Sequence, residues 1–427
     1  MNKADINYRT ITLKLDNSLQ LQELSKECGR VYSKAVSYIH KIHGRKGFWL
    51  DAMQIQKIIK SDKLHSQTTQ AVIQKYFASL KAYFQCVKTN PDAKPPHKTH
   101  KYYCIPFKQS AIKVNSNSIW LSCGKDRTPV IVSIPTGKTL DNVQYAEIIW
   151  NDGYYLKITT KVIAPEPRKE GKIVAVDPGE IHPLATWDGK KGTIYNGRLL
   201  RSEKQYREKV KASYTSKIDL KKTRSNRKRK LIKKKREKLA YLDRRIRDIE
   251  HKITRHFVET CNKDNVSTVV YGDTTNIRQD TDWGNKANQK LHQWNFNRIR
   301  TQIQYKCAEY GINFVLQDER GTSHTCPRCG AHVNPNGRIF RCRVCGFEAH
   351  RDIAGAMNIF SKYQGHVPVV ASMAHATGVR FNSHLCCSDS KPENPIAFKH
   401  GSVKYQSLSV VWRTLAQSNA QRSYSLF

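Results

Sequence analysis

Residues 172–189 read KIVAVDPGEIHPLATWDG. The apolar run Ile173–Val176 does not alternate, which fits a strand covered on both faces. It stops at Asp177, directly before the turn-forming pair Pro178-Gly179. Leu184–Trp187 and Thr193–Tyr195 continue as two further short strands joined by glycine-containing turns. Asp-Pro-Gly is also an ordinary turn, so Asp177 alone says little about chemistry.

Toward the C-terminus, a basic helical region is expected from about Leu199 to Cys261. Leu239, Leu242, Ile246, Ile249, Ile253 and Phe257 fall on one of its faces at steps of three or four. Val266–Tyr271 (VSTVVY) reads as a buried strand, a helix follows from about Ala287 to Tyr310, and Ile312–Leu316 reads as another strand. A last helix begins near Asp352 and carries Ile353, Met357, Ile359 and Phe360. The order is three strands, helix, strand, helix, strand, insertion, helix, the succession of RNase H-like folds. A carboxylate at a helix start is favoured by the macrodipole alone. Paired with Asp177 on a neighbouring element, Asp352 could instead share divalent metals held about 3.5–4 Å apart.

Between the last strand and that helix stand Cys326-Pro-Arg-Cys329 and Cys342-Arg-Val-Cys345. Each CxxC sets two thiolates on one side of a tight turn, and two such turns complete the tetrahedron that Zn²⁺ prefers in closed structural sites. Gly330 and Gly346 follow the pairs, where a knuckle needs positive φ. A redox dithiol would need only one pair. With four protein ligands no position stays open for substrate, so the expected role is structural.

The N-terminal half is read more coarsely. Residues 8–15 alternate as a half-buried strand, residues 17–92 read as helical, and the proline-rich stretch 90–101 breaks the helix. Between Tyr102 and Val162 the segments IKV, SIWLSC, VIVSI, YAEIIW and YYLKITTKV return to alternation, which predicts a small barrel or sandwich. Residues 164–171 (APEPRKEG) read as a linker, and the region beyond Ser361 lacks sustained periodicity.

Lys and Arg number 74 against 35 Asp and Glu, a formal charge of +39. A surplus of that size calls for a polyanionic partner, nucleic acid foremost. No apolar run approaches the roughly 18 residues of a membrane span, and neither an amphipathic anchor nor a secretory leader is evident, so a soluble intracellular protein is expected. The charge peaks in KKTRSNRKRKLIKKKREK, residues 221–238, where twelve of eighteen residues are basic. Lys221, Lys222, Arg224, Arg227, Lys228, Arg229, Lys230, Lys233, Lys234, Lys235 and Arg236 are candidate phosphate contacts beside the site, with a nuclear-localisation signal as the competing reading. Arg201, Lys204, Arg207 and Lys209 would extend this surface. Trp283, His292, Trp294 and Arg298, and in the N-terminal half Lys98, Lys101, Tyr102, Tyr103 and Lys108, are further candidates.

VAVDPGEIHPLAT (174–186), TSHTCPRCG (322–330) with its second CxxC, and HRDIAGAMNI (350–359) together resemble the TnpB proteins of insertion sequences and their Fanzor and type V CRISPR relatives. The resemblance covers roughly residues 170–362. It implies an RNA-guided DNA endonuclease whose RuvC core holds Mg²⁺ or Mn²⁺ on three acids, with Asp177 as the first and Asp352 as the last. Relatives commonly carry the second acid as a glutamate ending the fourth strand. Here that stretch is VVYGDTTN, with Gly272 at the glutamate position. Asp273 is adjacent but should face the opposite side of the strand. Glu319, beyond the fifth strand, matches the relocated glutamate of some relatives and is preferred.

The resemblance and the residues together predict an α+β multidomain protein. Residues 1–16 and 93–165 form a wedge-like β-barrel domain with a helical recognition insertion at 17–92. Residues 166–320 and 347–362 form the RuvC core, interrupted by a zinc ribbon at 321–346, and residues 363–427 form a largely disordered tail. Guide RNA, target double- and single-stranded DNA, Mg²⁺ and Zn²⁺ are the implied partners of a monomer, placed with the nucleoid in a prokaryote or in the nucleus of a eukaryote. A guided DNA-binding repressor without cleavage and a guide-independent nucleic-acid-binding protein are the alternatives.

Overall fold

The computed structural model describes residues 6–98, 101–135, 140–274, 296–335, 337–365, 376–380 and 388–389. Trp283, His292, Trp294 and the apolar stretch LSVVWRTL at 408–415, which reads as a segment able to dock, lie outside these residues.

In the N-terminal half, β1 (Ile6–Leu15) pairs antiparallel with β7 (Tyr154–Ile163) along its whole length, from Ile6↔Ile163 to Leu15↔Tyr154. With β6 (Val143–Trp150) and β2 (Ile105–Lys108) they form a sheet in the order β1-β7-β6-β2. A second antiparallel sheet joins β3 (Ile112–Val114), β4 (Ser118–Leu121) and β5 (Val130–Ser133).

The helical stretch between β1 and β2 is three helices rather than one run: α1 (Leu19–Lys46), α2 (Ala52–Ile58) and α3 (Ser66–Val87). Gly47 at φ 73° ends α1, and its N–H closes on His43 O. Asp51 starts α2 with a reciprocal capping box to Gln54. Leu24, Val31 and Ile39 of α1 and Val72 and Tyr76 of α3 share one core with Phe107, Leu156 and Ile158 of the sheet.

The C-terminal half is built on a sheet in the order β12-β11-β8-β9-β10-β15-β16. β8 (Lys172–Asp177), β9 (Leu184–Trp187) and β10 (Gly192–Asn196) form an antiparallel meander. β11 (Val266–Asp273) adds parallel to β8, and β12 (Asn313–Asp318) adds parallel to β11. The expected basic helix is a hairpin of α4 (Arg198–Asp219) and α5 (Asn226–Lys263). Arg224, held at φ 66°, and the N-cap Ser225 reverse the chain between them. After α6 (Phe296–Glu309) and β12 comes the ribbon, with β13 (Ile339–Arg341) and β14 (Glu348–His350) paired antiparallel, and then α7 (Arg351–Gln364).

Side chains alternate across the sheet. Val174, Val176, Val269 and Tyr271 pack under α5 and α6 with Ile246, Ile249, Phe257 and Ile303. Ala175, Ala185, Trp187 and Val270 pack under α7 and the ribbon with Ile353, Met357, Phe340 and Phe347.

The tail does not lack structure throughout. α7 runs to Gln364, and β15 (Ala376–Arg380) pairs parallel with β10 while β16 (Ser388–Asp389) pairs with β15. Without β15, β10 would be a sheet edge with unpaired backbone groups, and that demand comes from the neighbour, not from the tail's own pattern.

Candidate active site and metal centre

Parity along the strands decides which acids meet. Asp177 follows Val176 and therefore faces α7 together with Ala175. Gly272 shares that face with Val270, while Asp273 takes the opposite one. There Asp273 Oδ1 accepts from Arg300 Nη1 of α6 at 3.4 Å. Glu319, one residue beyond β12, folds back over Gly272: a Cβ at that glycine would overlap Glu319 Oε1. Gly355, one turn after Asp352 on α7, leaves room in the same way for the Asp177 carboxylate. The structure thus brings Asp177, Glu319 and Asp352 together between the strand ends and the start of α7.

These carboxyls repel one another in a confined space. Burial, then the charges of Glu319 and Asp352, push Asp177 well above the usual carboxylate range. Burial, then Asp273 and Asp318, push Glu319 up to about 7. Glu319 Oε1 is buried without a hydrogen-bond partner among the described residues. Asp352 differs. Burial raises it, but the hydrogen bond to His182 and the charges of His350, His182 and Arg338 outweigh burial and leave it lowered. His182 Nδ1 lies 2.6 Å from Asp352 Oδ2, and His350 caps α7 by accepting the Asp352 N–H at 3.3 Å. Neither histidine was legible as functional in the sequence, where IHP and AHR look like ordinary loop and helix-start residues. Two acids with raised affinity for protons, a third with lowered affinity and an orphaned oxygen together suit divalent cations, which favour hard oxygen ligands.

Glu319 is held by α7. The segment 319–325 lies along the helix, where Asn358 Nδ2 donates to Thr322 O at 2.6 Å and to Thr325 O at 2.7 Å. Lys362 Nζ donates to Arg320 O at 2.5 Å. Thr322 also bonds back to Glu319 O through its hydroxyl at 2.7 Å.

Next to this strap stands the ribbon. Cys326 Sγ and Cys345 Sγ are 3.6 Å apart, as are Cys329 Sγ and Cys342 Sγ, and all four ligand atoms lie within 4.8 Å of one another. Zn–S bonds of about 2.3 Å would set the sulfurs about 3.8 Å apart, so the cluster has the dimensions of a zinc tetrahedron. Gly330 (φ 73°) and Gly346 (φ 69°) close the two knuckles by donating to Cys326 O and Cys342 O.

The predicted basic surface is redistributed. Lys221, Lys222, Arg224, Arg227, Lys228, Arg229, Lys230, Lys233, Lys234, Lys235 and Arg236 are all exposed or partly so, at the tip of the α4–α5 hairpin. α5 has 38 residues, about 57 Å, and runs back from the start of β11, whose 8 residues span about 27 Å. The tip therefore overhangs the end of the sheet that bears the acids instead of lining the site.

Arg201, Lys204 and Arg207 do not extend that surface. They pair with Glu180 (3.2 Å), Glu250 (3.3 Å) and Asp243 (2.6 Å), and Lys204 is buried. Arg298 likewise pairs with the buried Glu250 and ties α6 to α5. Tyr103 stacks on Tyr32 at 4.5 Å inside the N-terminal half, whereas Tyr102 is exposed with Lys101 Nζ over its ring.

Residues 154–278 match the family model described as probable transposase, and residues 296–359 match the one described as Cas12f1-like, TNB domain. The TnpB-like protein MJ0751 of Methanocaldococcus jannaschii is 32% identical over 123 residues, 28% of this chain and 44% of that protein. Over these residues the chain is similar to TnpB-like proteins. The chain is also 34% identical over 113 residues to the CRISPR-associated endodeoxyribonuclease Cas12f1 of Sulfoacidibacillus thermotolerans, covering 26% of the chain and 25% of the relative. These alignments thus span less than half of either relative's own length. Its fold resembles the protein chain of a Cas12f1–sgRNA–target DNA complex, with a TM-score of 0.55 at 14% identity over 79% of this chain and 81% of the other. Among the described residues, no helix is long and apolar enough to cross a membrane.

Proposed function

We propose that this protein is an RNA-guided DNA endonuclease of a mobile element, with a RuvC-type site on Asp177, Glu319 and Asp352 and a structural zinc ribbon on Cys326, Cys329, Cys342 and Cys345. The observation that carries the reading is the convergence of the three acids, with Glu319 filling the space that Gly272 leaves. The strand order β10-β9-β8-β11-β12 supports an RNase H-like core, and the two N-terminal sheets support a wedge-like domain with α1–α3 as its recognition insertion.

Hydrolysis adds water across a phosphodiester: one P–O bond forms and another breaks, leaving a hydroxyl and a phosphate. Bound Mg²⁺ or Mn²⁺ supplies Lewis acidity and an activated water. Asp177 and Glu319 contribute carboxylate oxygens that are costly to ionise without a cation, and Asp352 contributes one already ionised and aimed by His182. The basic hairpin tip meets phosphates at the same end of the sheet. Guide pairing would read the target, and the protein a short flanking motif. A related Cas12f1 chain is seen with guide RNA and target DNA, which supports the same partners here.

The test is to sequence the RNA that copurifies with the protein and to offer a matched DNA duplex with Mg²⁺. One dominant RNA with a constant part and a variable end, and cleavage lost in Asp177→Ala, is the expected result. Matched DNA bound but never cut in any metal would leave a guided repressor. A broad mixture of RNAs would sink guidance altogether.

A further inference from the structure

His182 and His350 bring two imidazoles to one carboxylate. His182 comes from the β8–β9 loop, His350 ends β14, and Asp352 sits in the first turn of α7. One ligand atom from each lies within 4.8 Å of the others. Both histidines are buried, at 3% and 1% exposure, whereas the Asp352 side chain is 19% exposed. Magnesium prefers oxygen ligands and retains waters, whereas imidazole suits zinc, copper, iron, cobalt and nickel.

We propose that His182, His350 and Asp352 form a second cation site, for a divalent transition metal such as Zn²⁺ or Co²⁺, which shares Asp352 with the carboxylate centre. In a tetrahedral site, bonds of about 2.0–2.2 Å place ligand atoms about 3.3–3.6 Å apart. His182 Nδ1 and Asp352 Oδ2, now 2.6 Å apart, therefore separate by about 0.7–1 Å to admit the ion. The hydrogen bond from the Asp352 N–H to His350 Nδ1 fixes the second ring, and the two rings cross at 68° with centroids 5.2 Å apart. Arg338 Nη1, 3.7 Å from Asp352 Oδ2, is the cation now nearest the carboxylate. Its side chain is 45% exposed and swings into solvent when a dication enters.

An ion in this site takes an oxygen that the magnesium centre needs. Transition metal therefore inhibits magnesium-dependent cleavage. That consequence rests on the nuclease reading, whereas the binding itself does not.

The test uses the full chain with its cysteine cluster filled with Zn²⁺, titrated with Co²⁺ and read by cobalt d–d absorption. One equivalent is expected that lacks the sulfur-to-cobalt charge-transfer band of a cysteine site. It should persist in Asp177→Ala, which breaks only the carboxylate centre, and vanish in His182→Gln and in His350→Asn, whose amide still caps α7. No such equivalent in the wild type overturns the inference, as does one that survives both histidine substitutions or disappears equally in Asp177→Ala. Should the histidine variants fail to fold, nitrogen couplings in pulsed EPR of Cu²⁺ on the wild type take their place, and their absence is equally fatal. Added Zn²⁺ should slow magnesium-supported cleavage at least tenfold. A cobalt site in a chain that cuts no DNA in any metal would remove the nuclease reading and leave this one standing. Magnesium-dependent cleavage without a cobalt site would do the reverse.

Discussion

At the residue scale, the site turns on two glycines and the carboxylates that fill their places. Gly272 carries no side chain where Glu319 Oε1 rests, so the two positions compete for one volume. Gly272→Glu alone should crowd Glu319 and depress cleavage, and Glu319→Gly alone should cost more than the roughly 10–100-fold typical of a residue behind a metal ligand. The double variant Gly272→Glu/Glu319→Gly should recover a substantial part of the loss, and single-turnover rates on matched DNA decide it. No recovery would mean that the strand position cannot reach the metals.

The raised carboxyl also marks stability. Glu319, moved from 4.5 to about 7, binds more protons folded than unfolded between those values. Its contribution is present at low pH and is lost as pH rises through that window, on the order of 3 kcal/mol for the full shift. His350, burial-lowered to about 4, acts in the opposite sense between 4 and 6.5. The effect is therefore read as a difference. Without added magnesium, Glu319→Gln should gain stability over wild type in thermal melts from pH 5.5 to 8, and Mg²⁺ at pH 8 should narrow the gap. A gap independent of pH would contradict the assignment.

Asp177 and Asp352 could be singled out in the sequence, since each stands at a terminus with a recognisable neighbourhood. Glu319 emerged only from the missing acid at Gly272. His182 and Gly355 could not, because their meaning lies in contact with residues far along the chain: His182 and Asp352 are 170 positions apart.

At the element scale, α7 does two things. Its first turn presents Asp352, and two turns later Asn358 clamps the strap that carries Glu319. The strap runs straight into Cys326, so the cysteine cluster anchors its far end. Removing zinc with a chelator, or making Cys329→Ser with Cys345→Ser, should speed hydrogen exchange in residues 319–326 and lower cleavage, with the strands β8 and β11 still protected. Asn358→Ala leaves two carbonyls without their donor, a loss of about 1–3 kcal/mol, and should loosen the same segment. Unchanged exchange in the strap would separate the ribbon from the site. Element types were legible from apolar periodicity. The breaks at Gly47 and Arg224 were not, because a left-handed residue changes the direction of the chain without interrupting the pattern of its faces.

At the scale of the whole molecule, the positive charge is densest where the α4–α5 hairpin leaves the sheet, with twelve of the 74 Lys and Arg in residues 221–238. If that tip holds phosphates, replacing Arg227, Lys228, Arg229 and Lys230 by Gln should weaken RNA binding. The slope of log affinity against log salt should also flatten by about 0.7–0.9 for each phosphate no longer neutralised. A weakened affinity with an unaltered slope would place the effect elsewhere. The cluster was plain in the sequence, but its reach was not, since a hairpin and a single long rod carry the same charges. The full-length pairing of β1 with β7 has a consequence of another kind. It returns the chain at Ile163 to the side of Ile6, so the N-terminal sheets and their three helices are completed before the core begins, and one crossing of the chain joins the two halves. A cut at Ala164 severs no strand and no helix. Split there and expressed as two polypeptides, each half should keep its own sheets and core, and the β1–α6 contact is a place where the halves meet again, so that mixing them would switch on whatever the joined molecule does.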